Sequence, residues 1–212
     1  MNEAQIERPI LFSTSMVQAI LDGKKTQTRR VIKPQLHAGT PDGKYRYDGI
    51  QEGIHAIELL DARGEPTEKY YSCCAPRCLP EDILWVRETW SNKCQRCFDT
   101  LDKVSYCASC EIYNKCNSTR RPSIHMPRAA ARIFLRMTDV RVERLQDISL
   151  EDIEREGLYC DPPYTKDHFA YPGGMRLHWI KLWDSLNSKR GYGWDTNPWV
   201  WVYVFEVIKN DN

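Results

Sequence analysis

Two kinds of residue are spaced in this chain so that they could do chemistry, thiols and cations. Cys94 and Cys97 form one CxxC pair, and nine residues later Cys107 and Cys110 form another, with Cys116 following. A CxxC turn aims both sulfurs at one point, so two such knuckles close a four-thiolate tetrahedron around zinc. Cys116 can stand in for one of the four ligands. Four thiolates leave no open coordination position, so the expected zinc is structural and not catalytic. Paired disulfides are the weaker alternative in an intracellular chain. Cys73, Cys74 and Cys78 form a looser group, read as reduced thiols with a second metal site as the alternative, and Cys160 stands alone and inert.

The cations are segregated. The stretch from Lys24 to Lys33 holds Lys24, Lys25, Arg29, Arg30 and Lys33 with no acid, and Ile112 to Thr138 holds six cations, again with no acid. The rest of the chain then carries 19 cations against 29 acids, although the whole has a net charge of only +1. Either the two windows meet as a basic patch on an acidic body, or they are separate solvated faces. The near-zero total argues against a general nucleic-acid coat and for a local anionic-ligand site. Left charged, Lys25, Arg29 and Arg30 suit phosphate; relieved of its charge, Lys25 could serve as a base for the Thr28 hydroxyl. Such a lysine must lose about 3 pKa units, or ~4 kcal/mol of preference for its charged form. Neighbouring Lys24, Arg29 and Arg30 push that way, and a nearby carboxylate opposes them. Arg87, Glu88 and Trp90 are candidate cleft residues, with Trp90 able to stack a base. His125 and Arg128 lie in the second basic window and complete the candidate ligand-binding set.

The elements that must position these residues are legible in part. Met16, Val17, Ile20 and Leu21 recur at helical spacing after Ser13 or Ser15 as a cap, and Gly23 supplies a left-handed stop. The cationic run therefore begins just past a helix C-terminus. Ser149-Leu150-Glu151-Asp152 resembles a capping box and opens a short helix ending at Gly157. A third helix runs from about Gly174 to Asn187, with Met175, Trp179, Leu182, Trp183 and Leu186 on one stripe. Strands are expected at Asp82–Glu88, Arg132–Thr138, Val140–Arg144 and Trp199–Ile208. The last is apolar on both faces, which places it in the middle of a sheet. Gln35 to Tyr71 has weak periodicity and reads as an irregular loop. The 212 residues, 42 % hydrophobic and 28 % charged, suit one globular domain over 1–212, with insertions at about 35–78 and 92–118. With no membrane-length apolar run and no basic n-region before an apolar core, a cytoplasmic setting is expected.

The run Gly23-Lys24-Lys25-Thr26-Gln27-Thr28-Arg29-Arg30 fits G-x-K-x-x-T-x-R and resembles the signature of the ASCH domain, a branch of the PUA-like superfamily. Pro9–Phe12 and Asp82–Trp90 fit the same domain pattern, and Arg121–Arg128, Val140–Gly157 and Asn197–Val202 resemble the longer phage and prophage members. The resemblance implies an α+β fold: a small PUA-like β-barrel with flanking helices, here with an inserted zinc-knuckle subdomain. It also implies a cleft floored by the Lys/Thr/Arg motif and binding of RNA or a modified nucleoside. One small bacterial branch is an amidohydrolase acting on N4-acetylcytidine, and its Lys, Thr and Glu match Lys25, Thr28 and Glu156. In that alternative Lys25 is the base, Thr28 the nucleophile and Glu156 the acid. A third alternative is a structural or phage-assembly role, in which Thr28 holds a turn and Glu156 neutralises the cations.

Overall fold

Trp199 to Val207, apolar on both faces, is paired on both edges. The computed structural model describes residues 6–51, 54–91, 105–106, 108, 120–158 and 173–208. In chain order its elements begin with β1 (Glu7–Leu11), α1 (Thr14–Leu21), β2 (Gln27–Val31), β3 (Tyr45–Gln51), β4 (Ile54–Leu60), β5 (Pro66–Ser72) and β6 (Ile83–Arg87). They continue with β7 (Trp90–Ser91), β8 (Ser105–Tyr106), β9 (Phe134–Arg144), α2 (Leu150–Arg155), α3 (Gly173–Asn187) and β10 (Trp199–Val207).

The spine is β9. One edge pairs antiparallel with β10 from Trp199↔Arg144 to Val207↔Leu135, and β10 in turn pairs with β2. The other edge is shared: β6 takes its first half at Phe134–Arg136, and β3 takes its second half at Arg141 and Val142. The eight-stranded sheet therefore forks, running through β6 to β1 on one limb and through β3 and β4 to β5 on the other. β1 and β6 are its one parallel pair. Among the described strands no pairing joins β2 to β1. The Arg30 guanidinium instead donates to the Leu11 carbonyl at 3.2 Å. The fold is mixed α/β, dominated by this sheet.

β10 feeds a separate core from each face. Trp199, Trp201, Tyr203 and Phe205 pack with Tyr45, Ile57, Leu84, Val140, Val142 and α1. Val200 and Val202 pack with Ile153 of α2 and with Met175, Trp179 and Trp183 of α3. Each fully buried apolar side chain contributes about 1.5–3 kcal/mol, so α3 is held chiefly by this contact and α2 in part. Leu186, at the end of the α3 stripe, is exposed.

Three expectations change. The region read as an irregular loop over 35–71 contains a three-stranded meander that extends the main sheet. Register shifts between Tyr47 and Gly49 and between Glu58 and Leu60 break its period of two, and β4 buries Ala56, Ile57 and Glu58 consecutively. Arg132–Thr138 and Val140–Arg144 are not two strands, because Phe134 to Arg144 runs unbroken as β9. The motif segment Gln27–Val31 is itself a strand, β2.

Candidate functional site

Lys25 is placed by the end of α1. Ser13 caps the helix, its Oγ accepting from the Met16 amide, and Gly23 turns the chain at φ +70°. The amides of Lys24 and Lys25 then both donate to the Ala19 carbonyl, at 2.8 and 2.9 Å. This folds Lys25 back under the helix, where its side chain is buried. Nζ donates to the Glu156 carbonyl at 2.7 Å and to Glu156 Oε2 at 2.9 Å, with the Phe12 ring 5.5 Å away. Glu156 arrives at the C-cap of α2, which starts where Ser149 Oγ accepts from the Asp152 amide. Gly157 follows at φ +89°, and a Cβ there would lie 2.8 Å from Ala19 Cβ and 3.0 Å from Lys25 Cβ. Burial pushes the Lys25 amine below its ordinary pKa; Glu156 opposes that, and Arg30 and Arg29 reinforce it.

β2 sends alternate side chains to opposite faces. Gln27 and Arg29 lie under α2. Arg29 NH2 donates to Asp152 Oδ2 at 2.9 Å and to Glu143 of β9, and NH1 donates to Glu156 Oε1 at 3.1 Å. Gln27 Nε2 donates to the Asp152 carbonyl, and Arg141 donates to Asp152 Oδ1 at 3.3 Å. Burial lowers the affinity of Arg29 for its proton, but Glu156, Glu143 and Asp152 outweigh it and hold the pKa above the usual arginine value. Arg29 was a candidate ligand contact. It is sealed from solvent by three carboxylates, because the short helix α2 places Asp152 and Glu156 one turn apart above it. Its work is to fasten α2 to the sheet.

Thr28 and Arg30 point the other way, opposite Tyr203 and Trp201 of β10. Arg30 NH1 donates to Thr28 Oγ1 at 3.0 Å, so the hydroxyl lies behind Arg30. Among the described residues no hydrogen bond joins Lys25 to Thr28. Arg30 also sits 5.5 Å over the Phe12 ring, the ring that Lys25 faces, and lines a cavity of about 280 Å³. That cavity is lined by Arg30, Lys33, Arg77, Cys74, Trp201 and Tyr203 among others, and no carboxylate of the described residues lines it. Cys78 also borders it. Burial pushes the thiols of Cys78 and Cys73 up to about 12. Among the described residues no group of His, Cys, Asp or Glu could hold a metal ion.

The other candidates are dispersed. Glu88 is buried in a bidentate pair with Arg132, at 2.9 and 3.1 Å. Trp90, expected to line the cleft, is buried in a satellite cluster with Met126 and Ala130, under the Arg121 guanidinium. Arg87 lies against the Trp85 ring and donates to the Ile124 carbonyl. His125 is exposed in a single 3-10 turn, and Arg128 is paired with Glu7 at 2.7 Å. Acids from elsewhere thus meet cations of both acid-free windows, including Arg136 through Glu206. Among the described residues Lys24, Lys25 and Arg29 of the first window and Arg128, Arg132 and Arg136 of the second are each paired with an acid. Cys94, Cys97, Cys107, Cys110, Cys116 and Cys160 lie outside the described residues.

Several site residues escaped the sequence reading. Asp152 and Glu143 complete the Arg29 network, and the signal available was the Asp152–Glu156 spacing together with Arg141–Glu143 alternation on a strand. Arg77 and Tyr203 line the cavity with no motif to mark them. Comparisons of the chain with protein-family models, with curated proteins and with solved structures give no match.

Proposed function

We propose that this chain is an ASCH-type, PUA-like protein that binds RNA or a modified nucleoside in the cavity beside Arg30. The observation that carries the reading is the cavity itself: Arg30, Lys33 and Arg77 line it, with aromatic walls and no carboxylate among the described residues of its lining. Its volume lies near the lower end of ordinary ligand pockets, about 300–1,000 Å³. The G-x-K-x-x-T-x-R run supports the family reading, and the Arg30–Leu11 contact supports a barrel-like closure between β2 and β1. A phage or prophage origin and a cytoplasmic setting follow from the same resemblance. For the cysteine-rich segment we propose a structural zinc held by Cys94, Cys97, Cys107 and Cys110, with Cys116 as the alternative ligand. The β7–β8 pairing, Trp90↔Tyr106 and Ser91↔Ser105, supports it by bringing the two ends of that segment's first half together.

The test is binding of short single-stranded RNA across a salt series. Three phosphate contacts give a slope of about −2 in log K against log salt. Arg30→Ala and Lys33→Ala should each weaken binding and flatten the slope. Salt-independent binding, or none to RNA or nucleosides, overturns the reading.

A second reading is amide hydrolysis, favoured by one observation, the buried Lys25 amine with its lowered pKa. Thr28 would attack the amide carbonyl, passing its proton to Lys25, and that proton would pass through Glu156, in the role of acid, to the departing amine; water then frees the acyl group from Thr28. This requires Arg30 to release Thr28 Oγ1 when substrate enters. Turnover of N4-acetylcytidine by the wild type but not by Lys25→Ala supports it. No turnover by either removes it.

A further inference from the structure

The ligand-binding reading leaves open whether the ligand is neutral or charged, and the lining of the cavity bears on that. Arg30, Lys33 and Arg77 have no carboxylate partner among the described ion pairs. Their contacts orient them without neutralising them. Arg30 donates to the carbonyls of Arg29 and Leu11, Arg77 donates to the Pro9 carbonyl at 2.8 Å, and Lys33 lies 4.8 Å over the Tyr192 ring. The buried cations do have acids, Lys25 through Glu156 and Arg29 through three carboxylates, whereas Arg30, Lys33 and Arg77 are exposed and, like Arg87 and Arg176, rest on carbonyls or rings.

Arg30 and Arg77 are close enough for each to feel the other's charge. The Arg30 side chain is exposed; partial desolvation of its head, with the charge of Arg77, holds its pKa below the ordinary arginine value against the pull of Glu156. Two guanidinium groups held together at a cavity wall without a counter-ion make a ready-made anion site.

Tyr203 adds a neutral donor. Its buried Oη accepts from the Arg77 amide at 3.0 Å, and its own proton has no acceptor among the described residues. Burial, with Cys78 nearby, keeps the phenol protonated. The side chains around the cavity therefore offer positive charge and O–H or S–H donors, while Ile10, Leu84 and Trp201 form the apolar remainder. A neutral nucleoside would leave that charge unmatched; a group with several anionic oxygens would match it.

We propose that this cavity binds a phosphate group, so that the ligand of the site is phosphorylated, a nucleotide or the backbone of RNA, and that Arg77 and the Tyr203 hydroxyl select for it. The proposal rests on the ligand-binding reading above and narrows it. Arg77 lies outside the G-x-K-x-x-T-x-R run, on the segment that connects β5 to β6, so that segment sets the ligand class.

The experiment titrates the full chain with the common ribonucleosides, their 5′-monophosphates, inorganic phosphate and a short 5′-hydroxyl RNA. Charge-assisted hydrogen bonds of this kind are worth about 1.5–3 kcal/mol each, so a monophosphate or the RNA should bind at least about tenfold tighter than the nucleoside. Tighter binding of a monophosphate assigns the site to a terminal phosphate; tighter binding of RNA alone assigns it to the backbone. Arg77→Gln keeps a donor for the Pro9 carbonyl and removes the charge; it should abolish the preference for phosphorylated ligand over nucleoside while leaving thermal unfolding unchanged. Tyr203→Phe should reduce the preference. Nucleoside binding as tight as phosphorylated ligand, or a preference that survives Arg77→Gln, overturns the phosphate assignment and leaves the ligand-binding reading standing. Failure of every probe to bind overturns both.

Discussion

Thr28 and Arg29 are neighbours in the chain and lie on opposite faces of the sheet. Thr28 stands across from Tyr203, on the face that carries Arg30 and the cavity, whereas Arg29 stands across from Val202 beneath α2. One short strand therefore serves two tasks. Its odd-numbered residues Gln27 and Arg29 lock a helix to the sheet, and its even-numbered residues Thr28 and Arg30 face the site. Lys25, just before the strand, connects the two through Glu156, which it shares with Arg29.

Arg29→Ala leaves Glu143, Asp152 and Glu156 without their common cation. Breaking a buried pair from one side costs about 3–5 kcal/mol, so the variant should lose most of its stability in urea denaturation. Thr28→Val removes only the acceptor of the Arg30 bond and should change stability by about 1 kcal/mol. Equal losses in the two variants would show that Arg29 does not hold α2.

Gly157→Ala places a Cβ at a left-handed φ and against both Ala19 and Lys25. The backbone strain alone costs about 1–3 kcal/mol, and the contact pushes Lys25 from Glu156. Gly23→Ala, also at positive φ but with open space around it, should cost less. Thermal unfolding of the two variants gives the comparison.

Stability should fall at both ends of the pH scale. Burial alone would raise the Asp152 carboxyl, but Arg29 and Arg141 outweigh it and hold its pKa below the ordinary 3.8. Its contribution is present above about 3.8 and is lost as pH falls through the lower folded value. At the other end, burial raises Cys73, Cys78 and Tyr45 to about 12 from ordinary values of 9.0 for the thiols and 10.0 for the phenol, and Tyr203 is raised as well. The unfolded chain loses these protons first, so their contribution is full below about pH 9 and disappears towards pH 12. Lys25 works against this, since its lowered pKa is a cost that alkali relieves. Tyr47 and Tyr70 are raised as well and Arg30 is lowered, so six groups stand against two and the net is a loss. Denaturation midpoints measured across this range should fall, and fall less in Cys78→Ala.

The zinc proposal has a direct measurement. Purified protein should carry about one zinc per chain, and Cys94→Ser or Cys107→Ser should lower that content. Less than about half an equivalent in the wild type would remove the proposal.

Much of the local structure was legible because its causes are local. The Ser13 and Ser149 caps, the Gly23 stop, the α3 stripe and the double-faced apolar pattern of β10 all appear where their residues place them. The meander was not legible, because register shifts and a buried Glu58, paired to Arg46 at 2.9 Å, disguise strands that only β9 makes sense of. Trp90 looked like a stacking residue from its neighbours Arg87 and Glu88, yet packing against Met126 and Ala130 turns it inward.

The motif illustrates the division. By its order of residue types alone, the chain determined that a helix ends at Gly23 and that Lys25, Thr28, Arg29 and Arg30 follow in an acid-free run. Charge that is unopposed in sequence is not unopposed in space, because ion pairing depends on which segments fold across from one another. Only the tertiary structure decided that Lys25 and Arg29 meet the acids of α2 and β9. The same folding left Arg30 and Lys33 beside Arg77, with no carboxylate among the described residues of the lining.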